Sequence, residues 1–205
     1  MKNLTNLGSA ILLSVTLALI LSGCVTAPVK EPLRYQYTGA TNHSQKSVNT
    51  DYENSRASAD TCSIYIERIE DSRKSKSSFG SSPYFRKFAE SVPDWTWDGF
   101  HYLSSENYRA HFEDEYGTQI DPQITMHVQI HKAYVLYQPG AKSANLAISV
   151  HYTTKDNLTE TKLYRGRYTA INWSNSASEI EGAMNEALSD VLTKIDKDIS
   201  QYCLG

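Results

Sequence analysis

Residues 61–205 predict an α+β domain in which an antiparallel sheet of about four or five strands, ending in a C-terminal meander, packs against a long C-terminal helix and one or two shorter helices. Three observations carry this prediction. Apolar residues alternate with polar ones in four separate segments, beginning at Cys62, Ile124, Leu146 and Leu163. The pairs Pro139-Gly140 and Asp156-Asn157 punctuate the last three of them as short turns. From Ile180 to Ile199 the spacing of apolar residues changes to that of a helix.

The chain begins with basic Lys2 and an apolar run from Ala10 to Leu21, followed by Leu21-Ser22-Gly23-Cys24. A charged start, an apolar stretch and small residues before a cleavage point form a secretory signal. With about a dozen residues, the run falls short of the roughly 20 that span a bilayer. The cysteine at the cleavage point makes the motif a lipobox. Residues 1–23 are therefore expected to be removed, leaving Cys24 as first residue with a diacylglyceryl group on its thiol and an acyl chain, typically palmitate, on its amine. No other cofactor is expected. Val25, in place of Asp, favours sorting to the outer membrane by analogy with enterobacteria.

Residues 24–60 are rich in Ser, Thr, Asn and Gln, with Pro28 and Pro32 near the start. Such a composition cannot bury enough apolar surface to order itself. It reads as a lipidated flexible tether spanning roughly 30 to 36 Å. Tyr35, Tyr37 and Tyr52 either dock onto the domain or a partner or, as is commoner, stay solvated.

Within the domain, Cys62, Ile64 and Ile66 alternate as a half-buried strand that ends near Asp71-Ser72-Arg73. Ser82-Pro83 is expected to open a short helix, with Ser as N-cap, an apolar face of Phe85, Phe88, Ala89 and Val92, and Pro93 at its end. Residues 94–103 read as a short strand or a structured loop. Ser105 is expected to cap a second helix, carrying Tyr108, His111, Phe112 and Glu115 on one face and closed by Gly117.

Ile124, Met126, Val128 and Ile130 alternate, and Ala133, Val135 and Tyr137 then take over in the opposite phase. One extra residue near His131-Lys132, a β-bulge, accounts for the slip. Strands Leu146 to Tyr152 and Leu163 to Trp173 follow. Ser176 and Ser178 each precede a Glu by three residues, so either can start the last helix as a capping box. Ile180, Met184, Leu188, Val191, Leu192, Ile195 and Ile199 form its apolar stripe. Their burial contributes roughly 10 to 20 kcal/mol before chain entropy is counted.

Lys and Arg number 20 against 23 Asp and Glu, a formal net charge of −3. Without a basic stripe, nucleic acid is not expected as a partner. Of three cysteines, the lipid claims one; Cys62 and Cys203 then have a single intramolecular pairing in an oxidising compartment. Their disulfide is expected, with two free buried thiols as the alternative.

No catalytic constellation emerges, and an enzyme is not predicted. His127, His131 and His151 lack an acidic ligand at metal spacing, so no metal site is expected. Asp71 and Arg73 are an acid with its orienting partner or a local ion pair. Tyr84, Phe85, Trp95, Trp97, Phe100 and Tyr102 form the aromatic group of the irregular segment. Two readings stay open for it: core packing, or a surface for a small molecule, lipid, glycan or protein. The sheet also lacks obvious charge gatekeepers at its edges.

Ile124 to Tyr137, Ala144 to Thr154, Lys162-Leu163-Tyr164-Arg165-Gly166 and the closing helix with Asn185-Glu186-Ala187-Leu188 resemble the YajG-like lipoproteins and the related ABC-transport auxiliary lipoproteins. Asp71-Ser72-Arg73 fits as well. The resemblance implies a lipid-anchored domain on the periplasmic face of the outer membrane, acting as an accessory or binding subunit of an envelope system, such as lipid transport, beside a protein partner. It leaves the oligomeric state open.

Overall fold

The computed structural model describes residues 33–34, 62–78, 86–112, 121–171 and 176–204. Strand β1 (Ser63–Asp71) is followed by helix α1 (Arg86–Glu90), helix α2 (Val92–Asn107) and strand β2 (Arg109–Phe112). The meander comprises β3 (Ile124–Gln138), β4 (Ala141–Thr154) and β5 (Thr159–Ile171), and α3 (Ala177–Leu204) closes the chain. The sheet order is β2-β1-β3-β4-β5.

The fold class is α+β, as the sequence predicts, but the sheet is mixed. The meander is antiparallel. Strand β1 runs parallel to both neighbours, with Ile64 opposite Ala110 on β2 and Ile124 on β3. Parallel neighbours need a long crossover. Helices α1 and α2 lie within the one that joins β1 to β2.

The expected bulge is present: the β3–β4 register shifts between Ile130 and Lys132. Both turns also form. Gly140 has φ of 74° and Asn157 has φ of 59°, the left-handed region in which glycine and asparagine are best tolerated.

Helix α3 is the longest element. Ser176 is its cap: the Glu179 amide donates to Ser176 Oγ at 3.3 Å, and the Ile180 amide donates to the Ser176 carbonyl at 3.2 Å. All seven expected stripe residues are buried. The stripe crosses the sheet so closely that a Cβ built on Gly166 of β5 would lie 1.9 Å from the Ala187 carbonyl oxygen. The Cys62–Cys203 disulfide is present, with Cα atoms 5.7 Å apart, and ties the last turns of α3 to the start of β1.

Several expectations are corrected. Pro93 opens α2 instead of ending the preceding helix. It lies in the first turn, where an absent N–H costs nothing, and the Trp95 amide donates to the Ser91 carbonyl at 2.9 Å. Residues 94–103 are helical, not a strand or loop, because Val92, Trp95, Thr96, Gly99, Phe100 and Leu103 make a face at helical spacing. Arg109–Phe112 is strand β2 instead of part of a helix capped at Ser105, since parallel pairing with β1 overrides local preference.

Leu33, within the expected flexible tether, is fully buried. Its amide donates to Ser91 Oγ at 2.8 Å. Arg34 follows, with its amide 3.3 Å from Glu181 Oε1 and its guanidinium 3.4 Å from Asp98 Oδ2. The edge strand β5 also has gatekeepers that the sequence hid. Lys194 Nζ donates to the Arg165 carbonyl at 2.7 Å, and the Arg167 amide donates to Asp190 Oδ2 at 3.4 Å.

Gly166→Ala is expected to lower stability by about 2 to 3 kcal/mol, since backbone of α3 must give way. Gly182→Ala, with open space at its Cβ position, should stabilise α3 by about 0.5 to 1 kcal/mol. Urea midpoints in the two variants check the contrast, and equal shifts would refute the close-contact argument. Reduction of Cys62–Cys203, which spans a sequence separation of 141, is expected to cost about 2 to 5 kcal/mol. A midpoint unmoved by reductant would show that the cross-link adds nothing.

Candidate functional site

Among the described residues, the four members of the predicted aromatic group, Trp95, Trp97, Phe100 and Tyr102, differ in burial. Trp95 and Phe100 are fully buried and pack in the core. Trp95 Nε1–H donates to Asn185 Oδ1 on α3 at 2.7 Å. A Cβ built on Gly99 would lie 2.7 Å from Leu188 Cδ2, so α2 lies tightly against α3 here. Trp97 and Tyr102 are half-buried. One turn apart on α2, Trp97 and His101 meet Phe112 of β2; the His101 and Phe112 rings stack at 3.7 Å. Tyr84, Phe85 and Cys24 lie outside the described residues.

The sheet histidines make separate hydrogen bonds. His127 accepts from Arg68 Nε at 2.9 Å, His131 Nε2 lies 2.7 Å from Ser149 Oγ, and His151 Nδ1 lies 2.8 Å from Thr161 Oγ1. Among the described residues, no three His, Cys, Asp or Glu side chains form a metal-binding group.

A polar chain that sequence reasoning missed joins β4 and β5 to α3. The Tyr152 and Tyr164 hydroxyls are 2.7 Å apart, and Tyr164 donates to Asp198 Oδ2 at 2.5 Å. Lys162 lies 3.3 Å from Asp198 and 4.9 Å from the centre of the Tyr202 ring, whose hydroxyl donates to Glu160. Burial, reinforced by Asp198, raises the pKa of both buried tyrosines well above its usual value. They therefore stay protonated and serve as hydrogen-bond links, not as bases. At the other end of α3, buried Lys142 pairs with Glu179 in the helix's first turn.

Asp71 and Arg73 form the local pair. Arg73 Nε and Nη2 donate to the two Asp71 carboxylate oxygens at 2.8 and 2.9 Å, and the Arg73 amide donates to Asp71 Oδ1 at 3.1 Å. Nη2 also donates to the Ala89 carbonyl at 2.6 Å, so the buried guanidinium ties the end of β1 to α1. Burial alone would raise the Asp71 pKa; the hydrogen bonds and charge of Arg73 more than reverse this and hold it below 3.8. Beside this pair lies a cavity of about 420 Å³ between residues 72–78 and the bulged part of β3.

Among solved structures, the fold is similar to that of a Xanthomonas campestris protein described as DUF330, with a TM-score of 0.50, 8% identity, and coverage of 70% of this chain and 86% of that one. A hypothetical protein from Chlamydia trachomatis has a TM-score of 0.48 at 6% identity, covering 70% of this chain and 98% of its own. A minor lipoprotein from Acinetobacter baumannii has a TM-score of 0.43 at 7% identity, covering 67% and 90%. At such identities the likeness concerns the fold alone. No protein-family model matches the chain, and no curated protein matches it in sequence.

A carboxyl whose folded pKa is depressed adds stability above its unfolded value, and this is lost as pH falls through the folded value. Asp71→Asn is therefore expected to be less stable than the parent at neutral pH, with the gap closing as pH falls below about 3.8. Urea midpoints of both proteins at neutral and acidic pH provide the check. A gap independent of pH would remove the ion pair as its cause.

Proposed function

We propose that the chain is a non-enzymatic lipoprotein of the bacterial envelope, anchored through Cys24 after removal of residues 1–23, whose domain serves as an accessory or binding subunit of an envelope system such as lipid transport. The outer membrane, with the domain facing the periplasm, is the favoured location. The observation that carries the reading is the lipobox Leu21-Ser22-Gly23-Cys24 behind the apolar run. Each buried methylene contributes about 0.8 kcal/mol, so two or three acyl chains hold a protein firmly on a membrane. Among the described residues, no helix is long and apolar enough to cross one.

The subunit role draws support from the sheet face opposite α3. It exposes Tyr134 and Leu136 of β3 and Leu163 and Ile171 of β5, the last at 62% exposure. By contrast, the buried polar chain of Tyr152, Tyr164 and Asp198 is engaged in joining α3 to the sheet. Eight residues separate Cys24 from buried Leu33, so an extended connection spans at most about 30 Å and the domain stays near the lipid surface.

Metabolic labelling with palmitate, followed by mass spectrometry of the mature N-terminus, tests the anchor. The parent chain should start at lipidated Cys24, and Cys24→Ser should carry no label and keep residues 1–23. Cleavage elsewhere, or label persisting in the variant, would overturn it. For the subunit role, photo-crosslinkers placed at Leu163 and Ile171 should capture the same envelope protein, and an absence of protein adducts would count against it.

A further inference from the structure

We propose that the cavity beside Arg73 binds a phosphate-group anion, carried either by a membrane lipid headgroup or by a free solute. Among the described residues, the walls include Arg73, Lys74, Lys132 and three serines, Ser72, Ser75 and Ser78, and no carboxylate. Asp71 is already committed to Arg73 through Nε and Nη2. The third guanidinium nitrogen, Arg73 Nη1, is buried and has no hydrogen-bond partner among the described residues. An unsatisfied buried donor on a charged group is costly. Because Arg73 itself lines the cavity, an anionic oxygen there could satisfy it after a small shift of the wall, and guanidinium groups suit phosphate oxygens in geometry as well as charge.

The β-bulge builds the opposite wall. Consecutive residues of a regular strand point to opposite faces. At the bulge, His131 and Lys132 are both exposed and both line the cavity. The pairing of β1 to β3 also stops at Asp71 and Ile130, with the Ser72 amide donating to the Ile130 carbonyl at 3.0 Å. Beyond that point β3 continues to Gln138, and the cavity occupies the margin that β1 has left. Once Asp71 has offset Arg73, Lys74 and Lys132 leave two formal positive charges. The volume falls within the range of roughly 300 to 1,000 Å³ seen for small-molecule sites, so there is room for more than a bare phosphate.

The position favours a lipid source. Arg73 holds the Ala89 carbonyl, and Ser91, two residues further, receives the amide of Leu33. The cavity thus lies close to the point at which the chain arriving from Cys24 enters the core. This preference rests on the proposed anchoring, whereas the anion chemistry does not.

The full chain in a neutral maltoside detergent can be titrated with inorganic phosphate, with dihexanoyl phosphatidylglycerol below its micelle concentration, and with dihexanoyl phosphatidylcholine. Saturable binding of one equivalent, weakened by salt, is expected for an anionic phosphate compound. The double variant Lys74→Gln/Lys132→Gln should bind about tenfold more weakly, equivalent to about 1.4 kcal/mol, with an unchanged melting temperature. Lys197→Gln, an exposed charge on α3, should leave binding unaltered. Saturation by phosphatidylglycerol but not by phosphate assigns a headgroup; comparable binding of phosphate assigns a free anion. No binding of either, or full binding by the double variant, overturns the proposal. Cys24→Ser run alongside separates the two proposals, because loss of the anchor leaves the cavity intact.

Discussion

Contact between the backbone of α3 and the backbone of β5 at Gly166 is the constraint on which the rest of the structure depends. With no side chain at that position, the Ala187 turn of the helix sits directly on the strand. Any residue with a Cβ would lift the helix and open a gap beneath Met184, Leu188 and Val191, all fully buried. The second layer is then hung on α3. Helix α2 approaches it at Gly99 against Leu188, donates a Trp95 hydrogen bond to Asn185, and is followed by Tyr108, whose hydroxyl reaches Asp196 and Ser200. The disulfide fastens the far end of the same helix to β1.

Polar groups at both ends of α3 set its register along the sheet. A purely apolar stripe tolerates sliding by a turn with modest loss, because packing is non-directional. Lys142 with Glu179 at one end, and Tyr152, Tyr164 and Asp198 at the other, make directional bonds that a slid helix would break. Breaking one partner from a buried charged pair costs several kcal/mol, more than the pair adds when intact. The raised pKa values of Tyr152 and Tyr164 keep these donors protonated across physiological pH, as a positioning network requires.

The meander, its bulge, its two turns, the stripe of α3 and the cysteine pair were legible because each leaves a local period or a countable residue. What escaped was set by tertiary contacts. In α2, Trp95, Trp97 and Gly99 alternate like a strand, while the helical face includes Thr96 and Gly99, which hydropathy does not mark as buried. Thr96 is buried because its hydroxyl donates to the Val92 carbonyl, and Gly99 because α3 needs the space. The parallel direction of β1 has no local signature. The Arg73 cavity joins two segments about sixty residues apart in sequence, and only the bulge near His131 and the cation- and serine-rich run after Asp71 foreshadow it. Leu33 was hidden by isolation, since one apolar residue in a polar segment has no period.

Leu33 changes what the segment before the domain can do. A free tether of residues 24–60 would let the domain tumble well clear of a surface, whereas docking at Leu33 leaves only residues 25–32 between Cys24 and a buried contact. Arg34 adds bonds to Asp98 on α2 and Glu181 on α3, so the chain enters against both helices at once. Under the proposed lipidation of Cys24, a short connection also restricts rotation, because the entry point would stay within about 30 Å of the lipid. That entry point lies at the junction of α1 and α2, where the Leu33 amide meets Ser91 Oγ. Arg73 fastens its own end of β1 to that junction through Ala89. An anchor that merely retained a protein could use any length of chain. One that orients it needs a fixed point on the fold, and under the proposed anchoring Leu33, buried with its amide on Ser91, is such a point.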